Sequence, residues 1–235
     1  MAPQPSGNNG RSVLCKSPED LQKRKDLGVY HQRVDSVTGF VLAGGKSSRM
    51  GQDKAFLELG GRTLLAHALE QVRAVTGNTW IVGSAAKFAC FGPVVEDVFP
   101  ACGPLGGIQA ALTAAVTDLN LITAVDMPFI QVDFLNYLIA QARSSNAMVV
   151  VPRAGGKLQP LCAIYRRNFV EVAERSLRAG KNKVGSLFAE IQTLVIEEPE
   201  LQRSGFNEEM FRNLNTEQEW QQAKQKLSAG DQKHL

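Results

Sequence analysis

Three apolar runs in this chain end in residues suited to phosphate and metal chemistry. The run Gly39-Phe40-Val41 opens into Leu42-Ala43-Gly44-Gly45-Lys46-Ser47-Ser48-Arg49-Met50-Gly51-Gln52-Asp53-Lys54-Ala55. A short buried strand that runs into a glycine-rich turn presents several backbone N–H groups at one point, and Arg49 and Lys54 can add two fixed positive charges beside them. That is a place to hold a polyphosphate. The run Leu121 to Val125 ends in Asp126-Met127-Pro128-Phe129, and Val94-Val95 ends in Glu96-Asp97. A carboxylate at a strand end can bind Mg²⁺, which prefers one or two carboxylates plus phosphate oxygens over an all-protein cage. The competing reading is structural: Asp126 caps the segment after it, Asp97 steadies its own loop, and Glu96 faces solvent.

Other segments add chemistry of a different kind. Cys102-Gly103-Pro104-Leu105-Gly106-Gly107-Ile108 leads into a helix whose glycine-rich start allows close backbone approach and whose N-terminus favours negative charge. Gln159-Pro160-Leu161-Cys162-Ala163-Ile164-Tyr165 and Asn213-Leu214-Asn215-Thr216-Glu217 lie in the second half of the chain. Two asparagines spaced by one residue point the same way from an extended segment, and their amides offer both donors and acceptors. Thr216 also fits as the cap of a last helix with Glu217 and Glu219 in its first turn. Arg178, Lys181 and Lys183, around Gly180 and Asn182, read as a solvated loop, with a phosphate contact as the alternative.

The elements that must position these residues alternate. Strands are expected at Thr38 to Ala43, Thr79 to Val82, Pro93 to Val95, Leu121 to Val125 and Ala147 to Val151. Helices are expected at Arg62 to Val75, Leu105 to Val116 and Phe134 to Ala142. This rhythm predicts an α/β, Rossmann-like three-layer fold with a mostly parallel sheet covered on both faces and ligands at the carboxyl ends of its strands. After Pro152 the rhythm changes. Ala154-Gly155-Gly156-Lys157 separates two strand-like runs, so Val149 to Pro152 and Leu158 to Tyr165 are expected to form a hairpin that places an antiparallel strand in the sheet. Helices at Asn168 to Ala179 and Val184 to Glu190, a strand at Thr193 to Ile196 and a helix from Thr216 to Leu227 complete the expected domain, residues 37–227.

Residues 1–36 are polar and end in the charged stretch Asp20 to Asp35, which reads as a flexible N-terminal extension. Within it, Ser17-Pro18 has the form of a helix start and Gly28 of a stop. Residues 228–235 read as a tail.

Composition narrows the chemistry. The chain has 235 residues, 44% hydrophobic and 21% charged, enough for one domain with a substantial core. A net charge of only +3 gives no sign of a nucleic-acid binder and leaves basic character local to a pocket. Cys15, Cys90, Cys102 and Cys162 form no Cys-x-x-Cys pair, and His31, His67 and His234 are far apart, so neither a zinc site nor a disulfide framework is indicated. Cys162 reads as a buried small hydrophobe. No stretch approaches the ~18 to 20 apolar residues of a membrane span, and Met1 to Gly10 lacks the apolar centre of a secretory signal, so a cytoplasmic location is expected. A Walker loop fails because Gly51 is followed by Gln52-Asp53, and no Gly-x-Gly-x-x-Gly reads across Gly44 and Gly45.

Leu42 to Ala55 resembles the signature loop of nucleotidyltransferases that attach a nucleoside monophosphate to a phosphorylated acceptor. Its Leu-Ala-Gly-Gly-x-Ser-x-Arg-Met-Gly-x-Asp-Lys form is similar to that of the molybdenum cofactor guanylyltransferase (MobA) family. Asp126-Met127-Pro128-Phe129 resembles the family's metal motif, and Gly103 to Ile108 its Gly-Pro-Leu-x-Gly-Ile element. The segments around Gln159 and Asn213 resemble its acceptor elements, so the likeness runs in order from Val37 to Leu227.

The resemblance implies a nucleotidyltransferase fold and transfer of GMP from Mg²⁺-GTP to molybdenum-bound molybdopterin, giving the guanine dinucleotide cofactor and pyrophosphate. It implies Mg²⁺ on Asp126, the triphosphate and departing pyrophosphate on Arg49 and Lys54, and GTP contacts from Leu42, Ala43, Gly44, Lys54, Asp97 and Asp126. It implies acceptor contacts from Gln159, Pro160, Asn213 and Asn215, and transient partners among cofactor-biosynthesis proteins or client molybdoenzymes. The alternatives are a relative that uses CTP or makes an activated sugar, and a non-catalytic nucleotide- or cofactor-binding protein. The last has little support, because every expected catalytic position is filled.

Overall fold

In the computed structural model, which describes residues 36–44, 53–99, 101–214, 216 and 218–224, the first strand is buried at all six positions. That pattern belongs to a strand covered on both faces. This strand, β1 (Val37–Leu42), is followed by a 3₁₀ turn (Lys54–Phe56) and a small antiparallel pair, β2 (Glu58–Leu59) and β3 (Arg62–Thr63). Then come α1 (Leu64–Arg73), β4 (Asn78–Val82), α2 (Ala85–Phe88), β5 (Val94–Val95), α3 (Pro104–Ala114), β6 (Leu119–Ala124) and α4 (Val132–Arg143). The second half holds β7 (Val149–Ala154), β8 (Lys157–Leu158), β9 (Cys162–Arg166), α5 (Phe169–Arg178), α6 (Val184–Leu187), β10 (Thr193–Ile196) and α7 (Glu198–Arg203). A 3₁₀ turn (Glu208–Phe211) and α8 (residues 218–224) complete it.

The main sheet runs β10-β7-β9-β6-β1-β4-β5, with β8 paired to β7. Every strand neighbouring β1 or β4 is parallel, as is the β7–β10 pair, whereas β9 is antiparallel to both β6 and β7. The expected mostly parallel sheet with an antiparallel strand is therefore present, with one difference. The run Leu158 to Tyr165 is broken at Gln159–Leu161: only Lys157–Leu158 closes the hairpin on β7, and Cys162–Arg166 inserts between β6 and β7.

Two apolar clusters, one on each face, hold this sheet. Val37 and Val41 join α1 and α4 on one face, while Phe40 and Leu42 join α3 and α5 on the other, as the two-residue period requires. Where α1 crosses β1, a Cβ on Gly39 would overlap Val72 Cγ1 and lie 2.8 Å from Thr76 Oγ1, so the helix seats directly on the strand backbone. Helix α1 begins two residues later than expected because Thr63, still paired in β3, accepts the Ala66 N–H at 3.2 Å as its N-cap. The elements that periodicity missed, the β2–β3 pair, α2, α7 and the 3₁₀ turns, are each too short to show a period. The expected helix after Ser17 lies outside the described residues. Among the described residues no helix is long and apolar enough to cross a membrane.

Candidate active site

Parallel pairing puts the carboxyl ends of β1, β4, β5 and β6 on one edge, and β7 shares it because β7 and β6 are both antiparallel to β9. Leu42, Ala43 and Gly44 lie at the centre of that edge. Ala43 N and Gly44 N both donate to Val82 O, at 3.0 and 3.1 Å, and Val125 N donates to Leu42 O at 3.1 Å. The signature segment is thus fastened to β4 on one side and to β6 on the other. These bonds also commit the N–H groups of Ala43 and Gly44 to the protein.

Lys54 returns to the centre of the edge. Its Nζ donates to Asp126 Oδ2 at 3.3 Å, and both side chains are about four-fifths buried, at 21% and 19% exposure. The preceding residue holds the turn: Asp53 Oδ1 accepts the Ala55 N–H at 3.2 Å, and Asp53 Oδ2 takes an ion pair from Lys87 of α2 at 2.7 Å. Lys87 carries no motif signal, and sequence reasoning did not find it.

Asp97, at the end of β5, sits against the first turn of α3. A Cβ on Gly106 would lie 2.8 and 2.9 Å from its two carboxylate oxygens and 2.9 Å from Phe99 O, so the close approach depends on glycine there. Burial pushes the Asp97 carboxyl above its ordinary value, and the Phe99 N–H, donated to Asp97 Oδ1 at 2.8 Å, offsets part of the shift. A Cβ on the neighbouring Gly107 would stand 3.3 Å from Leu42 Cδ2, so the same turn of α3 joins Asp97 to the end of β1. Glu96 is exposed, and its Oε1 accepts the Ala85 N–H at 2.8 Å, holding the start of α2.

The segments around Gln159 and Asn213 are both tied to the residues leading to Asp126. Ala124 N donates to Leu161 O at 2.9 Å, and Leu214 N donates to Asp126 O at 3.1 Å. The second bond brings Asn213 beside Asp126, and Asn213 Oδ1 is buried without a hydrogen-bond partner among the described residues. Gln159 donates its amide nitrogen to Ala154 O at 3.2 Å and to Lys157 O at 3.4 Å, which closes the hairpin. Pro160 O accepts the phenol of fully buried Tyr165 at 2.8 Å. Beyond Gln159 lies a cavity of about 280 Å³ whose rim carries Lys157, Glu208, Glu209 and Arg212 over Ala154 and Phe211. These rim residues were not expected; the Gly155-Gly156 turn was the one sequence signal for that place.

Thr216 does cap α8. Glu219 N donates to Thr216 Oγ1 at 3.2 Å, and Thr216 N donates to Glu219 Oε2 at 2.8 Å, a reciprocal capping box. Arg178 pairs with Glu174 one turn before it and is largely exposed. Arg49 and Asn215 lie outside the described residues.

The donor set around Asp126 suits a hard cation shared with phosphates. It offers a carboxylate oxygen, and among the described residues no group of three or more His, Cys, Asp or Glu forms an all-protein cage.

Residues 39–194 match the profile of the MobA-like NTP transferase domain. The chain is 34% identical over 183 residues to the molybdenum cofactor guanylyltransferase of Syntrophotalea carbinolica, covering 77% of this chain and 87% of that protein. It is 32% identical over 200 residues to the enzyme of the same name from Desulfosudis oleivorans, covering 84% and 98%. The fold resembles the crystal structure of molybdopterin-guanine dinucleotide biosynthesis protein A from Archaeoglobus fulgidus, with a TM-score of 0.72, 24% identity and coverage of 82% and 99%.

Proposed function

The chain belongs to the MobA-like NTP transferase family, and from that premise we propose that it transfers GMP from Mg²⁺-bound GTP to molybdenum-bound molybdopterin, releasing pyrophosphate and forming the guanine dinucleotide cofactor. The observation that carries this reading is the convergence on one strand end. Lys54 Nζ reaches the Asp126 carboxylate, and both acceptor segments are hydrogen-bonded to residues 124–126. Nucleotide and acceptor elements thus meet at a single pair of opposite charges.

That is what the reaction requires. The acceptor phosphate is already anionic, so its attack on the α-phosphorus needs no general base and no protein nucleophile. It needs two negative reactants to be aligned and their charge neutralised. Asp126 would hold Mg²⁺, which supplies charge neutralisation on the phosphate oxygens. Lys54, with Arg49 of the signature loop, faces the triphosphate and the charge that develops on pyrophosphate. Asp97 binds the nucleoside side. Asn213, whose buried Oδ1 has no partner among the described residues, offers an acceptor to ring N–H groups of the pterin, together with Asn215, Gln159 and Pro160. The reaction belongs in the cytoplasm.

Reconstitution of a guanine-dinucleotide-dependent enzyme from GTP, Mg²⁺, molybdopterin and this chain tests the proposal. GTP should support it at least tenfold better than ATP or CTP, because each buried donor or acceptor left unpaired by the wrong base costs about 1–3 kcal/mol. Equal activity with CTP would move the chain to the cytidylyl relatives.

A further inference from the structure

The residues on either side of Lys54 are both fastened to the one-turn helix α2 and the residues just after it. Before Lys54, Asp53 divides its carboxylate between the Ala55 N–H and Lys87 Nζ. After it, Phe56 lies with its ring centroid 5.7 Å from Phe88 and 5.9 Å from Phe91. Phe56 and Phe91 are each 39% exposed, so their contact lies at the surface beside the turn. The anchor itself is firm. Phe88 is 1% exposed and packs where a Cβ on Gly83 would stand, Ala85 N is held by Glu96, and Phe91 O accepts a hydrogen bond from Arg73 at 2.9 Å.

We infer that α2 and Phe91 form a clamp that positions Lys54: Lys87 holds Asp53, Phe88 and Phe91 hold Phe56, and the lysine between them is thereby directed at Asp126. This rests on the role of Lys54 in phosphoryl transfer given above. Lys87, Phe56 and Phe91 are positioning residues that touch no reactant. An exposed ion pair alone would be weak. Its effect here comes from acting with the aromatic contact on a three-residue turn, so that Lys54 loses freedom on both sides. A pre-placed cation does not have to be ordered during the reaction.

The test uses Lys87→Met and Phe91→Ala, singly and together, in the full chain. Hydrogen exchange at the Ala55 and Leu57 amides, which are bonded to Asp53 Oδ1 and Lys54 O, should accelerate about tenfold in the double variant while Val41 in β1 keeps its protection. The kcat should fall about tenfold with the KM for GTP little changed, and the fall should vanish when the same changes are made in Lys54→Ala. Lys87→Arg should restore both readouts. Unchanged exchange at Ala55 and Leu57, or the same loss of rate in the Lys54→Ala background, overturns the clamp. Exchange needs no turnover, so the clamp is tested even if the wild-type chain transfers no GMP, and that result would count against the proposed function alone.

Discussion

Lys54 Nζ and Asp126 Oδ2 lie 3.3 Å apart across 72 residues of sequence, and they bring the 3₁₀ turn at Lys54–Phe56 and the end of β6 to one point. Each charge is mostly removed from water, so each needs the other until a ligand takes over. In the proposed reaction, a triphosphate and its cation would replace these protein partners.

Asp126→Ala should abolish GMP transfer, by at least about 10³-fold, because the carboxylate proposed to hold Mg²⁺ is gone. The fold should survive with a loss of about 1–2 kcal/mol from removal of the Lys54–Asp126 ion pair. Pyrophosphate release and a denaturant melt measure the two effects. Near-normal turnover at saturating Mg²⁺ would contradict the metal assignment.

Lys54→Ala and Asn213→Ala should separate rate from acceptor binding. Loss of Lys54 should lower kcat about 10²- to 10³-fold, the scale for one preorganised group on developing charge. Loss of Asn213 should weaken molybdopterin binding about tenfold, the equivalent of ~1.4 kcal/mol, and leave GTP affinity intact. Asn215→Ala is expected to behave as Asn213→Ala does. Equilibrium binding of both ligands decides, and a variant that loses GTP while keeping the pterin would reverse the division between the two halves.

Asp97→Asn should raise stability at neutral pH while lowering GTP affinity. Burial raises the Asp97 carboxyl above its ordinary value of 3.8, so the folded chain binds that proton more tightly than the unfolded chain does. The resulting stability is present below pH 3.8 and is lost as pH rises through the folded value. Asn carries no charge to desolvate, so its Tm should exceed that of wild type at pH 7 and the difference should close as pH falls toward 3.8. A loss of GTP affinity of about tenfold should accompany it if Asp97 contacts the nucleoside. A Tm gain independent of pH would point to packing instead.

Two glycine substitutions should have different consequences. Gly39→Ala forces α1 off β1 and should cost about 1–3 kcal/mol, with kinetics of the folded fraction unchanged. Gly106→Ala drives a methyl group into Asp97 and Phe99 O, so it should lower stability and GTP affinity together. Thermal melts paired with nucleotide titration distinguish them. Retained affinity in Gly106→Ala would detach Asp97 from the nucleotide site.

The sequence by itself determined which segments are strands ending at a ligand edge. Runs rich in apolar residues, such as Val37–Leu42 and Leu119–Ala124, tolerate burial on both faces, and glycine or aspartate shortly after them stops the strand. It also determined the family, because the phosphate-loop, metal and acceptor motifs depend on local residue type and spacing. The cap at Thr216 was equally local, since its partner Glu219 is three residues away. Only the tertiary structure decided that Cys162–Arg166 inserts between β6 and β7, because a strand's period encodes its faces and not its neighbours. It alone decided that Leu214 N meets Asp126 O, that Lys54 faces Asp126, and that Lys87 holds Asp53. Those contacts join residues 34 to 88 positions apart, and they follow from strand order and helix docking, which no local pattern records.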